Sequence, residues 1–412
     1  MSFKKVSVIG LGYIGLPTAA VLASRGIEVV GVDVNQQAVD TINQGKVHIV
    51  EPDLDIVVRS VVNTGTLKAT LVAEEADAFM IAVPTPFKDG HSPDLSFIEQ
   101  AAKAIAPVLA RGNLVVLEST SPVGATEKLA NWLKALRPDL SFPQDKGNQA
   151  DIQVAHCPER VLPGYVLQEL VSNDRVIGGM SQTCGEKAAQ LYQTFVRGEC
   201  ILTNARTAEM AKLTENSFRD VNIAFANELS MICDQLKINV WELIKLSNRH
   251  PRVDILNPGP GVGGHCIAVD PWFIVDSCPQ HANLIKQARL TNDGKPDYVI
   301  EQVVNAADQF KTPVIACLGL SFKADIDDLR ESPALHIVEQ LAQKQIGQII
   351  AVEPNISAIP ETLVQAGVEH CDVQRAFELA NIIVVLVDHK EFRLLDKSQF
   401  KAKVTIDTRG LI

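Results

Sequence analysis

The sequence predicts an α/β fold in which two Rossmann-like, doubly wound sheet domains are joined by a central helical domain. A glycine-rich turn follows the first apolar strand, and strands alternate with helices again in the last third of the 412-residue chain. Between these parts, apolar residues recur with helical periodicity. We therefore expect domains over residues 1–200, 201–305 and 306–412.

The first predicted unit is a strand, a tight turn, a helix and a second strand. The strand covers residues 5–9, the helix extends to Arg25, and the second strand over 27–32 leads into Asp33. Glycines in such a turn let backbone N–H groups approach a pyrophosphate, and the acid accepts hydrogen bonds from a ribose. A carboxylate there repels a 2′-phosphate, so the pattern predicts NAD rather than NADP. The turn residues are Gly10, Gly12, Tyr13, Ile14 and Gly15.

Polar residues follow three further predicted strands. The strand over 78–83 leads to Thr85, the strand over 114–118 to Thr120 and Thr126, and the strand over 152–155 to Glu159 and Arg160. Ligands of an open parallel sheet bind beyond the carboxyl ends of its strands. Thr85 and Thr126 are therefore expected to line a cofactor cleft, although threonine is equally common in ordinary turns.

The middle of the chain has the pattern of long helices, with Thr207 as the expected N-cap of the first. Lys212, Asn216 and Arg219 stand at i, i+4 and i+7, on one face. A solvated face is the ordinary interpretation, but the surrounding residues leave no clean polar side. A lysine beside a reacting carbonyl can stabilise an oxyanion or move a proton.

Cys266 follows the glycine pair Gly263 and Gly264, after a segment of prolines and glycines that cannot continue a helix. A loop-to-helix junction there would bring amide dipoles near the thiol and favour the thiolate. Asp270 would share a face with Cys266 if a helix begins at this point. Since a single cysteine is ordinarily a small buried residue, a reactive role needs support from the other motifs.

The last third repeats the α/β alternation without the glycine fingerprint. We therefore expect the second sheet to bind something other than a dinucleotide, with Lys323 and Arg409 available for phosphates. The predicted strands cover residues 312–318, 348–352, 381–387 and 404–407, with a helix from Ala334.

Composition and charge argue against several classes of binding partner. The net charge of −11 at pH 7 argues against nucleic acid or an anionic membrane as the main partner. No uncharged apolar run is long enough for a bilayer span. The eight cysteines include no CxxC pair, which fits reduced thiols, and the N-terminal residues carry no apolar leader. We expect a cytoplasmic protein with no membrane or nucleic-acid partner.

Seven ordered motifs resemble those of the UDP-glucose/GDP-mannose 6-dehydrogenase family over essentially the whole chain. They are GLGYIGLP at 10–17, VPTP at 83–86, STSPVGAT at 119–126, CPERVLPG at 157–164, KLTENSFRDVNIAFANEL at 212–229, GVGGHCIAVDP at 261–271 and FKADIDDLRESP at 322–333.

The resemblance implies a four-electron oxidation of a sugar C6 alcohol to a carboxylate with two NAD⁺ in turn, in the supply of cell-surface polysaccharide precursors. Cys266 would form a thiohemiacetal and then a thioester. Lys212 and Asn216 would hold the C6 oxygen, while Asp270 would assist proton transfer.

The remaining roles implied by the resemblance concern water, substrate and cofactor. Thr120 and Glu159 would position the catalytic water, and Arg330 would reach toward the cofactor. Substrate contacts would be Arg160, Val161, Arg219, His250, Arg252 and Gly263, with Phe322, Lys323 and Arg409 on the UDP portion. Arg252 would reach across a homodimer, which long helices between two sheet domains also favour.

One departure from the family pattern concerns the sugar. The UDP-glucose branch carries a second glutamate where this chain has Pro163, and the pattern here resembles the branch that acts on N-acetylated sugars. We expect UDP-N-acetyl-D-mannosamine as substrate, with UDP-N-acetyl-D-glucosamine as the alternative, because residue types do not reveal the stereochemistry at C2.

Two other classes of protein share part of this pattern. A two-electron hydroxyacid dehydrogenase also pairs a lysine and an asparagine on one helix, but it needs neither Cys266 nor a second α/β domain. A non-catalytic NAD-binding protein would not need the set of Lys212, Asn216, Cys266 and Asp270. Metal binding by His156, Cys157, His265 and Cys266 matches no zinc spacing, so we expect no metal.

Overall fold

The computed structural model describes residues 3–162, 164–264 and 266–412, with Asp89 described by its backbone only. The argument from Pro163 and the part of the metal alternative that involves His265 therefore lie outside the described residues. The chain divides into two units, the first ending at Glu215 and the second beginning at Asn216.

The described residues of the first unit form one eight-stranded sheet with the order β3-β2-β1-β4-β5-β6-β7-β8. Neighbouring strands are parallel except for β6 and β7. The order reverses direction between β1 and β4, so the loops after these two strands flank a topological switch point. The strands are β1 Lys5–Ile9, β2 Glu28–Val32, β3 Leu67–Thr70, β4 Ala78–Ile81, β5 Leu114–Leu117, β6 Gln153–His156, β7 Arg175–Gly179 and β8 Cys200–Asn204.

Helices cover both faces of this sheet. Val6 and Val8 of β1 belong to the apolar core on one face, and Ile9 belongs to the core on the other. The helices are α1 Gly15–Ser24, α2 Gln36–Asn43, α3 Leu54–Asn63, α4 Ser96–Ile105, α5 Ala125–Leu136, α6 Pro143–Lys146, α7 Val166–Ser172 and α8 Gln182–Tyr192. Short 3₁₀ helices are Asp89–His91, Ala106–Val108 and Gly147–Gln149.

The helix α9 (Ala205–Leu236) contains the boundary between the two units. The backbone N–H of Thr207 donates to Asn204 Oδ1 at 2.9 Å, so Asn204 caps this helix. The prediction of Thr207 as the cap is therefore wrong by three residues. An asparagine side chain caps as well as a threonine, and the pattern of apolar residues does not separate the two.

The second unit contains a five-stranded parallel sheet, within its described residues, with the order β11-β10-β9-β12-β13. Its order reverses direction between β9 and β12. The strands are β9 Val314–Leu318, β10 Gln348–Val352, β11 Glu369–His370, β12 Ile382–Val385 and β13 Val404–Asp407. The helices are α10 Val240–Ser247, α11 Asp270–Ser277, α12 Asn283–Ala307, α13 Pro333–Gln343, α14 Glu361–Gln365, α15 Val373–Leu379 and α16 Lys390–Arg393, with a 3₁₀ helix at Lys397–Ala402.

The predicted fold class is confirmed. Predicted strands over residues 5–9, 348–352 and 404–407 match the observed bounds, while the strand expected over 381–387 is shorter. The strands β3, β7, β8 and β11 were not predicted, because they are short, polar or rich in glycine. Among the described residues, no helix combines the length and the apolar character that a membrane crossing requires.

Candidate active site

The glycine turn of the first unit lies between β1 and α1, beside the switch point of the sheet. Gly10 has a left-handed φ of 91°, and a Cβ atom on Gly15 would stand only 1.8 Å from the carbonyl oxygen of Gly10. A Cβ atom on Gly12 would meet no described atom within 4 Å. The turn is therefore closed on its protein side and open at Gly12, where a phosphate can approach the N-terminus of α1.

Asp33 follows β2 and faces this turn. Its Oδ2 accepts from the backbone N–H of Leu11 at 2.9 Å, and its Oδ1 accepts from that of Asn35 at 2.9 Å. The side chain is half-buried, which leaves part of the carboxylate accessible for ribose hydroxyls. Tyr13 is exposed and Ile14 is half-buried at the start of α1.

Thr85 and Thr120 come from loops after the neighbouring strands β4 and β5. The hydroxyl of Thr85 donates to the carbonyl oxygen of Thr120, and both side chains are half-buried. The loops of two adjacent strands are thus joined directly at the carboxyl edge of the sheet.

Thr126 is fully buried in the first turn of α5. Its hydroxyl and its backbone N–H both donate to Glu209 Oε1, at 2.6 and 2.8 Å, and Gly124 N donates to Glu209 Oε2 at 2.6 Å. A carboxylate at the N-terminus of a helix complements its dipole. Thr126 therefore ties α5 to α9 in this structure. Nothing in the sequence singled out Glu209, because its partners lie more than 80 residues away.

Glu159 lies in a buried ion pair under the loop that follows β6. Its Oε2 is 2.5 Å from Nη1 of Arg175 on β7, and its Oε1 accepts from the backbone N–H of Arg160 at 2.6 Å. Arg160 in turn pairs with Glu215 of α9 at 2.7 Å, and Val161 packs against the apolar core. Sequence reasoning did not identify Arg175, which holds this carboxylate in one orientation.

A second buried carboxyl lies beside this pair. Glu118 accepts a 2.7 Å hydrogen bond from the hydroxyl of Tyr192. Burial, followed by the negative charge of Glu159, raises the pKa of Glu118 from 4.5 to about 7. Burial also raises the pKa of the Cys157 thiol and lowers the pKa of His156 to about 3. Cys157 is therefore a protonated core cysteine and His156 a neutral core histidine.

The cysteine loop of the second unit brings three predicted residues together. The backbone N–H of Asp270 donates to the carbonyl oxygen of Cys266 at 2.9 Å, which closes one helical turn before α11 begins. Asp270 is almost fully buried, and its Oδ2 accepts from Nδ2 of Asn216 on α9 at 2.5 Å. Cys266 is exposed. An accessible thiol thus lies one turn from a buried carboxylate that contacts an amide.

Lys212 stands one helical turn before Asn216 on α9 and is half-buried. Arg219 is exposed on the same helix, and His250 and Arg252 are exposed in the turn after α10. The backbone N–H of Arg252 donates to Nδ1 of His250 at 3.3 Å. Arg219, His250 and Arg252 therefore lie at the surface of their elements.

The glycines before Cys266 pack against the loop that follows β9. A Cβ atom on Gly263 would stand 2.5 Å from the carbonyl oxygen of Glu331 and 2.8 Å from the Cβ atom of Phe322. A Cβ atom on Gly264, whose φ is 81°, would stand 3.1 Å from the ring of Phe322. Only glycine permits this close approach, so Gly263 lies against Phe322 for steric reasons.

The other predicted contacts for a nucleotide lie near the carboxyl edge of the second sheet. Lys323 is exposed in the loop after β9, and Arg409 follows β13. Nε and Nη2 of Arg409 contact Oδ1 of Asp388 at 2.9 and 2.8 Å. Arg330 is exposed and pairs with Asp328 at 2.6 Å. Among the described residues, no cluster of histidines, cysteines and acids has the arrangement of a metal site.

Comparison with known proteins shows the family to which the chain belongs. Models of the UDP-glucose/GDP-mannose dehydrogenase family match residues 4–196 as its NAD binding domain, 206–294 as its central domain and 316–412 as its UDP binding domain. The chain belongs to this family. It is accordingly an NAD-dependent sugar-nucleotide dehydrogenase, and the expectations of an oxidoreductase, of NAD and of a UDP-containing substrate are confirmed.

Relatives with full-length similarity carry related activities. An NDP-N-acetyl-D-galactosaminuronic acid dehydrogenase from Ralstonia nicotianae is 66% identical over 100% of this chain and 97% of its own length. A UDP-N-acetyl-D-mannosamine dehydrogenase from Campylobacter jejuni is 64% identical over 95% of this chain and 96% of its own. The solved UDP-D-ManNAc dehydrogenase from Pyrococcus horikoshii superimposes with a TM-score of 0.88 at 40% identity, covering 99% of this chain and 96% of that one.

Proposed function

We propose that this dehydrogenase oxidises the C6 hydroxyl of UDP-N-acetyl-D-mannosamine to the carboxylate, in two steps at Cys266. The observation that carries the proposal is the arrangement in the second unit. There an exposed thiol is joined by one helical turn to Asp270, whose carboxylate contacts Asn216. A simple alcohol dehydrogenase needs no such thiol.

The chemistry assigns one task to each side chain. The thiolate of Cys266 adds to the C6 aldehyde to form a thiohemiacetal, which restores a carbon–hydrogen bond that can lose hydride. The second oxidation leaves a thioester, and water then releases the acid and the thiol. Lys212 and Asn216 hold the C6 oxygen and its developing negative charge, and Asp270 takes up or supplies the proton. Thr120 and Glu159 orient the water.

Cofactor binding is assigned to the first unit. NAD⁺, when bound, accepts a hydride in each of the two oxidations. The residues proposed to hold it are Gly10, Gly12, Tyr13, Ile14, Gly15, Asp33 and Thr85, with Thr126 holding α5 in place through Glu209 and with Arg330 as a further contact. The open space at Gly12 and the accessible part of Asp33 fit a pyrophosphate and a ribose.

Substrate binding is assigned to two groups of residues, one for the nucleotide and one for the sugar. Phe322, Lys323 and Arg409 take the UDP portion, because an aromatic ring and two cations at the carboxyl edge of a parallel sheet suit a base and a diphosphate. The sugar contacts are Arg160, Val161, Arg219, His250, Arg252 and Gly263. The three domains then extend over residues 1–200, 201–305 and 306–412.

The identity of the sugar has a second candidate. The relative from Ralstonia nicotianae, at 66% identity, is named for an N-acetyl-D-galactosamine-derived acid, whereas the relative from Campylobacter jejuni is named for the mannosamine. Both sugars carry a 2-acetamido group, and UDP-N-acetyl-D-glucosamine shares it.

We place the enzyme in the cytoplasm, in polysaccharide precursor synthesis. We expect a homodimer in which Arg252 reaches the partner's substrate.

The proposal is tested by the NADH formed per sugar consumed. UDP-N-acetyl-D-mannosamine should yield two NADH per sugar, and the same assay with the galacto and gluco epimers and with UDP-glucose ranks the sugars. Cys266→Ser should abolish the full reaction, while Cys278→Ser, which changes another exposed cysteine, should leave it intact. One NADH per sugar, with Cys266→Ser as active as the wild type, would contradict the covalent route.

A further inference from the structure

The turn that follows β12, formed by Asp388, His389 and Lys390, contacts the loop after β9 and the residue Arg409 after β13. All three segments lie at the carboxyl edge of the second sheet, and β9 and β12 flank its switch point. This position is where an open parallel sheet binds its ligand. The turn itself supplies no residue to the proposed UDP site, but it contacts the segments that do.

His389 lies at the centre of these contacts and is fully buried. Its Nδ1 accepts from the backbone N–H of Asp325 at 2.9 Å and lies 3.0 Å from Nδ2 of Asn355. Its Nε2 lies 3.0 Å from Oε2 of Glu353. A backbone N–H can only donate, so Nδ1 must carry a lone pair and Nε2 the proton that is donated to Glu353. The partners thus select the neutral imidazole with the proton on Nε2.

Glu353 connects the same histidine to the start of the loop. Its Oε2 also accepts from the backbone N–H groups of Leu320 and Ser321, at 2.7 and 3.1 Å. Burial acts in the opposite direction, but the hydrogen bonds from His389 and the backbone lower the pKa of Glu353 to about 2. Both ends of the short segment that contains Phe322 and Lys323 are therefore held, one through Glu353 and the other through Nδ1.

Glu353 has the same place in the second sheet as Asp33 has in the first. Both acids follow the second strand of their sheet, and each accepts from the backbone N–H of the second residue after the first strand, Leu11 or Leu320. Asp33 keeps an accessible side, whereas Glu353 is only 2% exposed and has His389 on its other side. In the second sheet His389 therefore covers the side of the acid that stays accessible for a ribose on Asp33.

Lys390 and Asp388, the other two residues of the turn, each contact one of these segments. The backbone N–H of Lys390 donates at 2.8 Å to Oδ1 of Asp325, a residue held at a left-handed φ of 64°. Oδ1 of Asp388 binds Arg409 through two nitrogens. The turn thus contacts Arg409 directly, and it contacts the loop that contains Lys323 through Asp325.

We propose that His389 is a positioning residue for the nucleotide: as the neutral imidazole it holds the 320–325 loop in the conformation that presents Phe322 and Lys323 to UDP. The inference rests on the proposed function, which assigns UDP to this domain. It predicts an effect on the UDP portion of the substrate and none on NAD.

The test measures UDP binding by calorimetry, together with the KM for the UDP-sugar and for NAD. In His389→Gln the amide nitrogen replaces Nε2, and the acceptor for the Asp325 N–H is lost. In His389→Asn the amide oxygen replaces Nδ1, and that acceptor is kept. Because an unpaired buried donor is costly, we expect about tenfold weaker UDP binding in His389→Gln and at most about threefold in His389→Asn. The KM for NAD should not change in either variant.

A parallel measurement on Lys323→Ala distinguishes a failure of the positioning role of His389 from a failure of the assignment of UDP to this domain. If Lys323→Ala weakens UDP binding but both His389 variants bind UDP like the wild type, the positioning role is wrong. The same holds if the two His389 variants lose UDP affinity equally. If Lys323→Ala binds UDP as tightly as the wild type, the assignment of UDP to this domain fails instead.

Asp325→Gly provides an independent variant if both His389 substitutions unfold the protein. It keeps the backbone N–H that donates to His389, tolerates the left-handed φ and removes only the carboxylate that holds Lys390 N. Weaker UDP binding at an unchanged Tm supports the inference, and unchanged UDP binding overturns it.

Discussion

Individual residues at the carboxyl edge of the first sheet show how environment separates two carboxyl groups. Glu159 is paired with the guanidinium of Arg175, whereas Glu118 is paired with a neutral hydroxyl and has one oxygen, Oε2, without a described hydrogen-bond partner. Glu118 therefore takes up a proton near neutral pH.

Glu118→Gln should change how stability depends on pH. Since the pKa of Glu118 is raised from 4.5 to about 7 by folding, the wild type loses stability as the pH rises between these values. Glutamine keeps an acceptor for Tyr192 and does not titrate. The variant should therefore gain stability relative to the wild type between pH 4.5 and 8, by roughly 1–3 kcal/mol.

Thermal unfolding at pH 5 and pH 8 measures this difference. The Tm of Glu118→Gln minus that of the wild type should be larger at pH 8. Glu127→Gln, at a half-buried site where Arg206 lowers the pKa of the carboxyl below 4.5, serves as a control. Its Tm difference should be nearly the same at both pH values, because this carboxyl is largely ionised at pH 5 and above in the folded and the unfolded state. An equal Tm difference at both pH values for Glu118→Gln would mean that this carboxyl is not protonated in the folded protein.

Buried polar side chains join α9 to α12. Nη1 of Arg289 on α12 lies 2.5 Å from Oδ1 of Asp220 on α9, and both side chains are at most 1% exposed. Asn292 donates to the same carboxylate at 2.8 Å, and Asn227 donates to Asn292 at 2.9 Å. Asn227 also accepts from Gly259 N at 2.9 Å, which connects the helix pair to the segment before Cys266.

Arg289→Leu should destabilise this helix pair strongly. The substitution leaves the carboxylate of Asp220 buried without its cation, which typically costs about 3–5 kcal/mol. The double variant Asp220→Asn/Arg289→Leu removes the charge as well and should recover part of that loss. Urea denaturation of the two variants checks this, and a double variant no more stable than Arg289→Leu would contradict it.

At the scale of the whole molecule, α9 carries an apolar stripe that the described residues of its own unit leave exposed. Phe218, Phe225 and Ile232 are spaced by seven residues, two helical turns, and are 71%, 53% and 43% exposed. A stripe of this kind favours association with a second helix. It supports the proposed homodimer, in which the stripes of two copies meet.

Phe225→Glu should convert the dimer to a monomer, because it places a charge in the stripe. Activity should fall with dissociation, since Arg252 is proposed to reach the partner's substrate. Sedimentation velocity gives the oligomeric state, and Leu394→Glu is the matched control at a residue that is 85% exposed outside the stripe. A wild type that sediments as a monomer, or a Phe225→Glu protein that stays a dimer, would contradict the proposal.

The sequence by itself determined the fold class and the residue types of the site. The glycine turn with Asp33, the strands over 5–9 and 348–352, and the one-turn spacing of Cys266 and Asp270 are local patterns, and local sterics and periodicity decide them. The family motifs also predict Glu159, Asn216 and Lys323 as site residues. None of these patterns requires knowledge of which distant segments meet.

Only the tertiary structure decided how those residues are held. His389 contacts Glu353 and Asp325 across 36 and 64 residues of chain, and Glu209 contacts Thr126 across 83. Burial and the negative charge of Glu159 make Glu118 a weak acid, while Glu159 itself is paired with Arg175. Such partners are chosen by the order of strands in the sheet. The residue type alone does not reveal whether a carboxylate faces an arginine, an imidazole or the apolar core.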